Sequence, residues 1–141
     1  MPLAIRPYEE TDEQSVIRLW NDCGLVVAWN DPAKDIARKL LVQRELFLVG
    51  CIEFEVVATV MAGYEGHRGW VNYLAVNPEH RRNGYGEAMM MAVERMLLAK
   101  GCPKINLQVR STNAEVIAFY ERMGYSTDQA VSMGKRLIAD V

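Results

Sequence analysis

Cysteine is scarce and unpaired: Cys23, Cys51 and Cys102 are odd in number, far apart and without a Cys-x-x-Cys spacing. That excludes a disulfide framework and leaves reduced thiols in or near a core. Histidine is scarcer still. His67 and His80 stand too isolated from other ligands for a zinc site, so no metal is expected. Neither sign of charge dominates: 16 Lys and Arg against 18 Asp and Glu leave a net −2. Without a basic face, counterion release has little to work with, and a nucleic-acid partner is not expected. No stretch approaches ~18 consecutive apolar residues, and Met1-Pro2-Leu3-Ala4-Ile5-Arg6 lacks the basic-then-apolar layout of a signal peptide. The expectation is a cytoplasmic protein with no membrane partner. Linkers, repeats and low-complexity segments are missing too, so residues 1–141 are read as a single domain.

What is present is a regular succession of elements. Thr11-Asp12-Glu13-Gln14 reads as a capping box into a helix through about Asp22, with Gly24 placed to end it. Asp31 then Pro32 reads as an N-cap followed by Pro at the first helical position. Ile36, Leu40 and Leu41 carry that helix's apolar stripe to about Gln43. Two helices are thus expected ahead of the main sheet. Leu46 to Ile52, Val56 to Tyr64 and Trp70 to Val76 are rich in β-branched and aromatic residues and read as an antiparallel meander. Ala88, Met89, Ala92, Val93, Met96 and Leu97 then recur at helical spacing, closed by Gly101 and Pro103. Lys104 to Val109 follows as a strand. A second capping box, Thr112-Asn113-Ala114-Glu115, opens a helix from Val116 to Met123 that Gly124 ends. Strand, helix, strand implies a parallel crossover, and the tail from Tyr125 to Leu137 has room for two more short strands. The fold class is α/β, in the α+β sense, with a mixed, mostly antiparallel sheet of six to seven strands and about four helices.

Chemistry concentrates at the turn Arg81-Arg82-Asn83-Gly84-Tyr85-Gly86, between a strand and the long helix. Such a turn offers unpaired N–H groups and the positive end of a helix dipole to an anion. Gly84 and Gly86 lack Cβ, so the backbone is able to take positive φ and approach a pyrophosphate closely. Arg81 and Arg82 add positive charge at the rim. The plainer alternative is an ordinary strand-to-helix turn with a solvated arginine pair.

The turn resembles the Arg/Gln-x-x-Gly-x-Gly/Ala motif of the GNAT superfamily, the N-acetyltransferases that use acetyl-coenzyme A. Downstream, Asn113-Ala114-Glu115-Val116-Ile117-Ala118-Phe119-Tyr120-Glu121-Arg122-Met123-Gly124-Tyr125 resembles that family's Asn then Phe-Tyr-x-x-x-Gly-Tyr/Phe segment. Trp29-Asn30-Asp31-Pro32 and Gly66-His67-Arg68-Gly69 are similar to the small bacterial YpeA-like branch. The resemblance implies acetyl-CoA as cosubstrate and an amine as acceptor. It also implies that Arg81, Arg82, Asn83, Gly84, Tyr85 and Gly86 form the pyrophosphate cradle. Leu74, Ala75 and Val76 would present main-chain groups where their strand splays from the next, and Asn113 would bond the pantetheine arm. Tyr120 would lie against the thioester and give a proton to the departing thiolate. A phenol near pKa ~10 stays protonated at neutral pH, as that role requires. The alternatives are local: Asn113 as a helix cap, Tyr120 as a packed tyrosine, Leu74 and Val76 as core.

No base stands out. Lys104 to Arg110 resembles the matching strand of ribosomal-protein alanine acetyltransferases, but Gln108 occupies the place of their glutamate, and a neutral amide cannot take a proton. Glu65, His67 and Asp31 read better as turn or cap residues. Trp20, Trp29 and Tyr64 are candidate walls of an acceptor pocket, or core. In the run Met89-Met90-Met91, Met90 or Met91 is left facing outward, a candidate subunit contact in a homodimer. Two further readings stay open: a coenzyme-binding regulatory module without chemistry, and a protein N-terminal acetyltransferase.

Overall fold

A computed structural model describes residues 2–140, with Met1 and Val141 outside the description. Five strands form one sheet in sequence order: β1 (Ala4–Pro7), β2 (Phe47–Ile52), β3 (Glu55–Tyr64), β4 (Gly69–Val76) and β5 (Ile105–Leu107). Neighbours pair antiparallel except β4 and β5, which are parallel and joined through a helix. The helices are α1 (Glu13–Asp22), α2 (Pro32–Lys39), α3 (Tyr85–Ala99) and α4 (Ala114–Arg122). This is the expected mixed, mostly antiparallel sheet with four helices, but with five strands rather than six or seven. The tail beyond Tyr125 forms no strand among the described residues. β5 is only three residues long, too short an edge for a hairpin to extend, and the tail is tied down by side chains instead. Asp128 receives Lys104 at 3.0 Å and Asn106 at 2.7 Å, and Gln108 bonds Ser132.

Each sheet face buries its own cluster. Met89, Met90, Val93 and Leu97 of α3 and Tyr120 of α4 pack on Leu48, Ala58, Val60 and Val71. Val16, Leu19 and Trp20 of α1 and Ile36 of α2 pack on Phe47, Val49, Met61 and Ala75. Each large apolar side chain so buried contributes about 1.5–3 kcal/mol. Of Met90 and Met91, one of which was expected to face outward, Met90 is core and Met91 is the exposed one.

Several local readings are corrected. The two helices do not precede the whole sheet, because Ala4–Pro7 pairs with β2 as an edge strand. At α1 the N-cap is Asp12, not Thr11. Asp12 accepts from the Glu9 N–H at 2.9 Å and takes both Arg6 nitrogens at 2.8 and 2.9 Å, tying β1 to the start of the helix. Asp31 caps α2 as expected, accepting from Ala33 N–H at 2.9 Å. That helix stops at Lys39 rather than Gln43, and Leu41 is exposed rather than part of its buried stripe.

Candidate active site

The site begins with an irregularity in β4. Met61 pairs with Asn72 and Thr59 with Ala75, so two residues of β4 oppose the single Val60. Tyr73 in this bulge has φ +53°. A β-bulge bends its strand and re-aims side chains. The bulge is held from below by a buried relay in which the Trp20 indole donates to Thr59 Oγ1 at 2.9 Å and that hydroxyl donates to Tyr73 O at 2.9 Å. The Trp20 and Tyr73 rings stack at 3.8 Å.

Beyond Val71 the ladder between β4 and β5 ends: Gly69, Trp70 and Val71 pair with Ile105, Asn106 and Leu107, while β4 continues to Val76 paired with β3 only. A cavity of about 760 Å³ opens where the strands part. Asn72, Tyr73 and Leu74 line it from β4, Gln108 and Arg110 from beyond β5, Asn113 and Tyr120 from the start and end of α4, and Asp35, Arg38 and Lys39 from α2. Three of the residues singled out in the sequence, Leu74, Asn113 and Tyr120, thus meet in one cleft. Ala75 is buried in the α1 face of the core, and Val76 accepts at its carbonyl from the Cys23 thiol at 3.3 Å and Arg81 Nε at 3.4 Å. Burial pushes the Cys23 thiol pKa up, against the opposing pull of Arg81.

Tyr120 is 8% exposed and packs edge-on against Phe119 and Tyr125. Burial pushes its phenol up to about 12, so it is protonated throughout the neutral range. Tyr125 is turned away from the cleft by a 2.6 Å bond to Glu94. Asn113 caps α4, its Oδ1 accepting from Val116 N–H at 3.3 Å.

The glycine turn forms the N-terminus of α3. Gly84 is the cap at φ +75°, with no side-chain cap bond, and a Cβ there would meet nothing within 4 Å. Helix geometry leaves the first-turn N–H groups without intrahelical partners. Arg82 also has positive φ, +68°, and Arg81, Arg82 and Asn83 are exposed, with Asn83 Nδ2 bonded to His80 O at 3.0 Å. Tyr85 and Gly86 open the helix proper. Gly86 does not use positive φ as anticipated. A Cβ there would lie 3.3 Å from Phe119 Cζ, so this glycine serves the contact between α3 and α4.

The alternative bases fall outside the cavity. Asp31 is occupied as a cap, and Glu65 accepts the N–H groups of His67 and Arg68 in its own turn. Trp29 lines the cavity at 58% exposure, whereas Trp20 is core and Tyr64 bonds Gly66 O at 3.2 Å. Sequence reasoning missed Asp35, the one side-chain carboxylate among the described residues that line the cavity, which receives the Tyr73 hydroxyl at 2.6 Å. Among the described residues no group of three or more His, Cys, Asp or Glu is placed to hold a metal, and no helix is long and apolar enough to cross a membrane.

The sequence pattern of the acetyltransferase (GNAT) family matches residues 5–125. An acetyltransferase of Yersinia enterocolitica is 45% identical over 138 residues, 98% of each chain. One of Pectobacterium atrosepticum is 46% identical over 138 residues, again 98% of each. Among solved structures, Ard1 from Thermoplasma volcanium superposes with a TM-score of 0.77 at 25% identity, covering 89% of this chain and 84% of that one. PaiA N-acetyltransferase from Thermoplasma acidophilum, in complex with coenzyme A, superposes at 0.75 with 16% identity, covering 93% and 94%, a likeness of fold alone. The splayed strands, the glycine turn at the head of α3 and the close relatives lead to one assignment: the chain belongs to the GNAT family and is an acyltransferase.

Proposed function

We propose that the protein transfers the acetyl group of acetyl-CoA to a primary amine by direct attack in a ternary complex. The reading rests above all on Tyr120, a protonated phenol in the wall of the cleft that opens where β4 leaves β5. The pyrophosphate lies at the Gly84 turn, where helix N–H groups and the Arg81–Arg82 pair oppose its charge. The pantetheine arm follows the edge of β4 that β5 leaves open, past Leu74 towards Asn113. The amine, once neutral by loss of a proton to solvent, bonds the thioester carbon through its nitrogen and sheds a second proton to solvent; the carbon–sulfur bond breaks, the sulfur takes the Tyr120 proton, and solvent returns a proton to Tyr120. Holding both reactants in one cleft supplies much of the rate.

A small amine suits this cleft better than a protein terminus. The tail crosses its acceptor side, where Trp29, Asn30, Arg38 and Gln108 meet Gly134 to Ile138 around a second cavity. The tail is fastened there by Asp140, whose buried carboxylate takes the Asp31 N–H at 2.7 Å, Arg38 at 2.7 Å and Arg136 at 3.0 Å.

Thiol release from acetyl-CoA against a panel of amines and short peptides tests the reading. Tyr120→Phe is expected to lower turnover about 10²-fold or more with coenzyme affinity nearly unchanged. Unchanged turnover would remove Tyr120 from the chemistry. Coenzyme binding without acceptor-dependent release across the panel would favour a regulatory module.

A further inference from the structure

An acceptor amine has to be held as well as acetylated, and an alkylamine with an unperturbed pKa near ~10 arrives as an ammonium ion. One place in the cavity suits a compact cation. Asp35 is the single side-chain carboxylate among the described lining residues, and its side chain is 22% exposed. The Tyr73 hydroxyl, 2.6 Å from Oδ2, fixes its orientation, and Tyr73 is itself fixed by the bulge and by stacking on Trp20. Trp29, exposed and lining the same cavity, supplies an aromatic face, and ring faces attract cations.

Of the cations near Asp35, Arg38 and Lys39 have their firmest bonds elsewhere, while Arg110 shares the cavity. Arg38 approaches Oδ1 at 3.4 Å but gives its other terminal nitrogen to Asp140 at 2.7 Å. Lys39 turns its ammonium to Ala62 O on β3. Arg110 enters the cavity from beyond β5. Asp35 is thus a carboxylate with one firm hydrogen bond from a neutral phenol and only a long contact to a positive charge already committed to a second carboxylate.

We propose that Asp35, oriented by Tyr73 in the cavity that Trp29 also lines, is the subsite for the acceptor's ammonium group. The acceptor is then an aliphatic amine that is cationic at neutral pH, not an arylamine. The inference rests on the transferase reading for its meaning, but the subsite can be measured without coenzyme.

The probe is butylammonium chloride, titrated into the full chain with and without coenzyme A while the Trp29 indole and Tyr73 ring signals are followed by NMR. n-Butanol is the uncharged control of similar shape. Butylammonium is expected to shift both signals, and n-butanol neither. Asp35→Asn, which keeps the size and the Tyr73 hydrogen bond, is expected to weaken ammonium binding about tenfold or more, as loss of a charged partner does. Asp35→Glu is expected to keep most of it. Tyr73→Phe, which keeps the carboxylate but frees it, is expected to weaken binding less than Asp35→Asn. An equal response to n-butanol, equal affinity in Asp35→Asn, or no response in the unmodified protein would each overturn the proposal. Calorimetry of acetyl-CoA on the same samples judges the other reading separately. Loss of coenzyme binding with ammonium binding intact would sink the transferase reading and leave the cation subsite standing.

Discussion

Thr59→Val separates the bulge from the rest of the fold. Thr59 is fully buried, and its single hydroxyl both accepts from the Trp20 indole and donates to the carbonyl of Tyr73, each at 2.9 Å. Valine fills nearly the same space, so the cavity cost is small and the polar cost dominates. The indole N–H, on a tryptophan with no exposed surface, is left without a partner, at a cost of about 1–3 kcal/mol. The Tyr73 carbonyl is only partly buried and recovers some of its loss from water. We expect a total near 2–3 kcal/mol, read as a lower urea midpoint with unchanged slope, and a melting temperature lower by roughly 6–10 °C for a chain of this size. Thr59→Ser keeps the hydroxyl, loses one methyl group and should cost only about 1 kcal/mol. If the valine variant is as stable as the serine variant, the relay does not hold the bulge and the account of the site's lower wall fails.

Two further outcomes are expected. Gly84→Glu should abolish acetyl-CoA binding by charge and bulk at the turn. Its folding cost should stay near 1–2 kcal/mol, because the position has open space and the penalty is that of a side chain at positive φ. Calorimetry with normal coenzyme affinity would argue against the pyrophosphate site. Tyr8 and Tyr120 are both pushed up to about 12, mainly by burial. Because their folded values lie above the unfolded ~10, their protonated forms favour the native state up to pH ~10. That contribution should fade between pH ~10 and ~12, as denaturation followed alongside tyrosinate absorbance would reveal; stability flat across this window would contradict the burial of both phenols.

The elements that could be read from the chain are those whose signal is local. The glycine turn, the cap at Asp31, the apolar stripe of α3 and the crossover to β5 each follow from propensity, capping or periodicity, and the observed boundaries lie close to those expected. What escaped depends on distant partners. Ala4–Pro7 is too short and too ordinary to read as a strand until β2 lies beside it. The bulge at Tyr73 leaves no mark in sequence, since a tyrosine at φ +53° is held there by Thr59 and Trp20 from other elements. Asp35 looks like one more acid on an exposed helix, and only the partner 38 residues away gives it a place. The tail has room for two short strands, yet Val131, Met133 and Leu137 are exposed and no ladder among the described residues receives them. The glycines of the turn were both attributed to the ligand, but Gly86 is occupied by packing against Phe119.

The short ladder between β4 and β5 bears on how the molecule breathes. Three paired residues hold β5 to the sheet, against six for β2 with β3 and six for β3 with β4, so the wall formed by β5 and α4 has less backbone hydrogen bonding to lose on opening. Local opening concentrates where such bonding is thin. The tail, bonded to β5 through Asp128 and to α2 through Asp140, then acts as a tether spanning the two walls rather than as part of either. Amide exchange in this half should therefore be faster than in β2 and β3 and should slow when a ligand bridges the walls, which makes the cleft the part of the fold whose stability is set by what it binds.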